Sequence, residues 1–114
     1  GGIMPKKKVD PNIVQPHKVM RELYRNYMQF REYVRASGVY TLEHKGLTIS
    51  FYDLGKGLNN LSPRKKEAFY LNVILDKKQK DVAEIMGITT VSVGQYVEAA
   101  SRQLAEMYFG EPDE

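Results

Sequence analysis

The chain's 114 residues, 42% of them hydrophobic, suffice for one compact domain or a small domain with an added arm. It has no cysteine, which excludes disulfides, thiol catalysis and thiolate metal sites and suits a reducing cytosol. The net charge of +3 is split: residues 1–38 hold eight Lys/Arg and three Asp/Glu (+5), and residues 39–114 hold nine and eleven (−2), so the basic excess available to a polyanion is N-terminal.

Gly1-Gly2-Ile3 ahead of Met4 reads as a cloning remnant. Residues 1–16 contain Pro5, Pro11 and Pro16 and few large apolar groups, which predicts a disordered or extended basic arm. Its Lys6-Lys7-Lys8 run leads into Val9-Asp10-Pro11, not into an apolar segment, so no signal peptide is expected. No stretch approaches the roughly 20 apolar residues of a membrane span, and the expected location is the cytoplasm.

Residues 17–37 predict one helix. Leu23, Tyr27, Phe30 and Val34 make an apolar stripe, with Lys18, Arg21, Arg25, Arg31 and Arg35 on the other side and Gly38 as the stop. The aromatic run Tyr24, Tyr27, Phe30, Tyr33 reads as core packing rather than a base-stacking surface.

Tyr40–Glu43 and Leu47–Phe51 are short β-prone runs around His44-Lys45-Gly46, a hairpin signal with Gly46 available for positive φ. Two strands alone are marginal, so the hairpin must pack on helices. Ser50 with Asp53 resembles a capping box opening a short helix over roughly 51–59.

Ser62-Pro63 predicts a helix start, with Ser as N-cap. That helix places Ala68, Leu71 and Leu75 on one face, with Ile74 beside them, and ends near Asp76. A short helix over about 78–86 stops at Gly87. The last, from about Thr90 to Tyr108, has Val93, Val97, Ala100, Leu104 and Met107 inward.

Residues 79–96 meet the steric demands of a helix-turn-helix. Two helices that cross closely need a small residue at the contact and a glycine in the turn. Counting from Gln79, Ala83 is the fifth residue and Gly87 the ninth. Val82, Met86, Ile88, Val93 and Tyr96 fall where the miniature core is required.

Leu61-Ser62-Pro63-Arg64-Lys65-Lys66-Glu67-Ala68-Phe69, followed by Asp81-Val82-Ala83-Glu84-Ile85-Met86-Gly87-Ile88-Thr89, resembles region four of bacterial sigma factors over about residues 58–108. Together with the elements read above, this gives a mainly α fold: a helix-turn-helix domain over 58–110, preceded by a unit over 17–57 made of the N-terminal helix and a small β-hairpin. The resemblance implies contacts with double-stranded promoter DNA and with RNA polymerase. Small phage-encoded sigma-like regulators have a similar layout. The chain has room for one sigma-like module, not for a full sigma factor.

One departure matters. Residues 88–101 contain no basic group and one acid, Glu98, where the family commonly has Lys or Arg at the positions of Gly94 and Tyr96. Base reading then falls to Thr90, Val91, Ser92, Gln95 and Glu98: Gln pairs with adenine, Glu accepts from cytosine, and a Val or Thr methyl meets the thymine methyl. Phosphate attraction falls to Arg64, Lys65, Lys66, Lys77, Lys78, Lys80 and Arg102, with Gln79 at the start of the motif.

Other chemistry finds little support. His17 and His44 read as exposed polar residues without ligand spacing, so no metal or other cofactor is expected. Gly55-Lys56-Gly57 lacks the rest of a phosphate loop. No carboxylate pair has a nucleophile or base beside it, so no enzyme is expected. Two alternatives accompany the regulator. One is a viral packaging subunit of small-terminase type, a homo-oligomer assembled through the N-terminal helix and the end of the last helix. The other is a polymerase-binding inhibitor that keeps the fold without the DNA contact.

Overall fold

A computed structural model describes residues 15–110. The expected arm over 1–16, with Lys6–Lys8, falls almost wholly outside the described residues, as does the polar tail from Glu111.

The N-terminal helix is divided. α1 runs Pro16–Arg25 and α2 runs Tyr27–Ser37, with a break at Asn26 (φ −101, ψ 14). The apolar stripe continues across the break, so periodicity alone predicts one helix. The Asn26 side-chain amide donates to the Glu22 carbonyl at 3.1 Å, while its backbone N–H turns to Leu23 O at 3.2 Å. An Asn side chain that competes for the i−4 carbonyl loosens a helix at that residue. α2 ends at Gly38 in the left-handed region (φ 75), as the glycine predicts.

β1 (Thr41–His44) and β2 (Leu47–Ser50) pair antiparallel, with Thr41 opposite Ser50 and His44 opposite Leu47. His44 is thus the last residue of β1, and the turn is Lys45-Gly46. Both turn residues have positive φ (50 and 78), the geometry that matches strand twist in a two-residue hairpin. Leu47 and Ile49 face the core. The turn is tied to α1 by Glu22, which holds Lys45 Nζ at 3.0 Å and His44 Nε2 at 3.4 Å. The far end is clamped by the Tyr108 hydroxyl, which accepts from Ser50 N–H at 3.3 Å and donates to Thr48 O at 3.2 Å.

α3 (Phe51–Asn59) starts at Ser50, whose hydroxyl accepts from Asp53 N–H at 3.4 Å. α4 (Pro63–Phe69) starts with Pro63 at its first turn. Ser62 has the extended backbone of a cap, but its side chain makes no capping hydrogen bond, contrary to expectation. α4 then widens into a π-turn over Tyr70–Ile74, closed by Leu75 N–H to Tyr70 O at 2.9 Å. The extra residue in the turn rotates the inward face. Ala68, Phe69, Val73 and Ile74 are buried, whereas Leu75, expected inward, is 39% exposed.

α5 (Gln79–Met86) and α6 (Thr90–Phe109) complete the chain. α6 buries Val93, Val97, Ala100 and Leu104 as expected. Its last turn buries Ala105 and Phe109 instead of Met107, which is 41% exposed.

The described residues share one apolar core, drawn from α1, α2, β2, α3, α4, the π-turn, α5 and α6. It joins residues from both sides of the expected boundary at 57/58. The aromatic run belongs to it. Tyr24 packs edge-on against Phe69 at 5.2 Å and stacks on Tyr27, which stacks on Phe51 at 5.1 Å; only Tyr33 of that run is exposed. The buried Tyr24 hydroxyl donates to Leu54 O at 2.6 Å, and burial pushes its pKa upward.

Candidate nucleic-acid interface

The turn between α5 and α6 is set by local chemistry. Gly87 closes α5 in the left-handed region (φ 68), with its N–H toward Glu84 O and Ile88 N–H to Ala83 O at 3.0 Å. These are the paired bonds of a Schellman stop. Thr89 then caps α6: its hydroxyl accepts from Ser92 N–H at 3.0 Å and donates to Ser92 Oγ at 2.9 Å. Val82, Ala83 and Val93 are buried where the two helices meet, with Met86, Ile88 and Tyr96 packed around them.

This packing presents the first turns of α6 outward. Thr90, Val91 and Gln95 are exposed, Val91 to 69%, and Ser92 is partly exposed. Gln79 lies across Gly94: a Cβ on that glycine would sit 3.6 Å from Gln79 Oε1. Lys77, Lys78 and Lys80 are exposed at the start of α5 and form no ion pair among the described residues.

The other candidates are engaged within the fold. Arg64 donates to Met86 O at 3.5 Å and so sits on the C-terminal end of α5. Lys65 reaches Gln103 Oε1 at 3.2 Å, and Lys66 reaches Asn59 Oδ1 at 3.0 Å. Glu98 is directed to α1, not to open solvent alone. Its carboxylate takes Arg21 Nη2 at 2.8 Å and Arg102 Nε at 2.6 Å, with His17 Nε2 at 3.4 Å.

Burial works to raise the Glu98 pKa. The Arg102 hydrogen bond and the charges of His17, Arg21 and Arg102 outweigh it, so the pKa lies below the ordinary value. His17, expected exposed, is buried against this cluster. Burial first, then the Arg102 charge, lower its pKa, against the opposing pull of Glu98.

Sequence reasoning missed the meeting of α1 with α6. The spacing of Lys18, Arg21 and Arg25 shows a basic stripe, but nothing in the sequence says which helix it borders. Among the described residues no group of three or more His, Cys, Asp or Glu is placed to hold a metal ion, and no helix is long and apolar enough to cross a membrane.

Residues 53–104 match a protein-family model described as sigma-70, region 4. The match takes in most of α3, α4, the helix-turn-helix and most of α6, and leaves out α1, α2 and the hairpin. No curated protein and no solved structure matches the chain.

Proposed function

Starting from the sigma-70 region 4-like helix-turn-helix over residues 53–104, we propose that this chain is a sequence-specific DNA-binding transcriptional regulator. Sigma-70 region 4 domains bind DNA and RNA polymerase. The observation that carries the reading is the exposed N-terminal end of α6, held out by the Gly87 stop and the Thr89 cap. Thr90, Val91, Ser92 and Gln95 supply hydrogen-bonding and methyl groups suited to base edges. Lys77, Lys78 and Lys80 supply charge for phosphates. The basic arm at Lys6–Lys8 adds affinity without sequence preference, because phosphate contacts carry little sequence information.

Two kinds of variant test this. Lys78→Ala with Lys80→Ala weakens binding to all duplexes alike and flattens the salt dependence by up to roughly two units of slope. Gln95→Ala changes the ranking of sequences selected from a randomised duplex pool. Identical rankings for Gln95→Ala and the unaltered chain would count against base reading by α6.

A second reading, a polymerase-binding protein without a DNA contact, draws on one observation. The recognition helix has no basic group over residues 88–101, and its acid is tied to α1. Capture of RNA polymerase from a bacterial lysate, with no binding to any duplex, supports that reading over the first.

A further inference from the structure

Lys18, Arg21 and Arg25 recur at spacings of three and four, on one stripe of α1. Lys18 and Arg25 are exposed and Arg21 partly so. The one acid of α1, Glu22, is turned to the hairpin. The stripe borders the helix-turn-helix twice. Arg21 lies 2.8 Å from Glu98 on α6, and Arg25 lies 3.8 Å from Asp76, which directly precedes Lys77 and Lys78.

On α6, Val91, Gln95, Glu98 and Arg102 recur at four, three and four, so Glu98 and Arg102 continue the line of the reading face. Val91 to Glu98 spans about 10 Å of helix axis, against a major groove about 8.5 Å deep. A helix entering N-terminus first therefore brings Glu98 and Arg102 to the groove rim, level with the backbone phosphates. Arg21 lies beside them.

We propose that α1 forms a second, phosphate-binding wall of the DNA interface. Lys18, Arg21 and Arg25 join Arg102 at the rim, and Glu98 holds Arg21 and Arg102 in place until a phosphate replaces it. This rests on the DNA-binding reading above and extends it to an element outside the region 4 match. The charge balance fits. One carboxylate faces two guanidiniums, so the cluster keeps a positive charge with His17 neutral. The recognition helix, which lacks basic groups of its own over residues 88–101, gains them from its neighbour.

The test is a salt titration of the full chain on a labelled random-sequence duplex, followed by fluorescence anisotropy. Lys18→Ala with Arg25→Ala is expected to flatten the salt slope by about two units, with no change in thermal midpoint. Glu98→Gln is expected to tighten binding at low salt, because it frees both guanidiniums for phosphate. Lys78→Ala with Lys80→Ala is the reference for the motif itself. If that pair flattens the slope while Lys18→Ala with Arg25→Ala leaves it unchanged, the α1 wall is overturned and the DNA-binding reading stands. If Glu98→Gln weakens binding, Glu98 is not a stand-in for phosphate. If the unaltered chain binds no duplex, both readings fall together.

Discussion

Gly57 and Gly94 lie in helices in ordinary right-handed conformation, yet their surroundings give them opposite roles. A Cβ on Gly57 would lie 2.9 Å from Leu104 Cδ2 and 3.0 Å from the Tyr24 hydroxyl. Both neighbours are fully buried, and the hydroxyl is already bonded to Leu54 O, so neither has room to retreat. Glycine is what lets α3 approach α1 and α6 this closely. Gly57→Ala gains helix propensity but overpacks, for an expected net loss of roughly 0.5–2 kcal/mol. At Gly94 the nearest atom to a new Cβ is Gln79 Oε1 at 3.6 Å, ordinary contact distance. Gly94→Ala therefore keeps the propensity gain and is expected to stabilise by about 0.5–1 kcal/mol. Thermal unfolding of the two variants should move in opposite directions. A shift of the same sign in both would show that these close approaches do not govern the two positions.

Between elements, the α5–α6 crossing depends on one small side chain. Ala83 is 7% exposed at the contact. Ala83→Leu is expected to force the helices apart and lower stability by about 1–3 kcal/mol, read by denaturant unfolding. An unchanged midpoint would mean that Ala83 does not set the spacing. This unit was legible in the sequence because its steric demands fall at fixed offsets within eighteen residues of Gln79. The hairpin and the α3 cap were legible for the same reason, since Gly46 and Ser50 act on near neighbours. The break at Asn26 was not, because Leu23, Tyr27 and Phe30 keep helical spacing across it and only the amide's bond to Glu22 O reveals it. The π-turn was hidden likewise. Ala68, Leu71 and Leu75 fit an α-helical face, and a single extra residue in the turn moves burial to Phe69 and Val73. In the candidate site, the outward end of α6 followed from the motif. The commitment of Glu98 did not, because its partner Arg21 is 77 residues away.

Across the whole molecule, the α1–α6 contact joins the segment outside the region 4 match to α6, and a cluster of titratable groups borders its apolar core. His17 and Arg21 contribute from α1, and Glu98 and Arg102 from α6, with the exposed Lys18 charge near His17. Both titrating members make the contact sensitive to acid. The folded-state pKa of His17 is lowered, chiefly by burial, so the unfolded chain takes up its proton first. Stability is then undiminished above the ordinary imidazole pKa of about 6.5 and falls as pH drops below it. The Glu98 pKa is also depressed, as the Arg102 hydrogen bond and the surrounding charges overcome the effect of burial. Its contribution is present above the ordinary carboxylate pKa, about 4.3, and is lost as pH falls through the lower folded value. The two effects share a sign but occupy different windows, His17 first and Glu98 at stronger acid. His17→Gln removes the first and leaves the carboxylate its Arg21 and Arg102 partners. Urea unfolding from about pH 8 to 5 is expected to show the unaltered chain losing stability below about pH 6.5, relative to the variant. Parallel curves over that range would mean that His17 protonates as readily in the folded chain as in the unfolded one. An added Glu98→Gln substitution sharpens the test. It removes the carboxylate charge that raises the His17 pKa, so the loss below about pH 6.5 should deepen when His17 is retained and vanish when it is replaced.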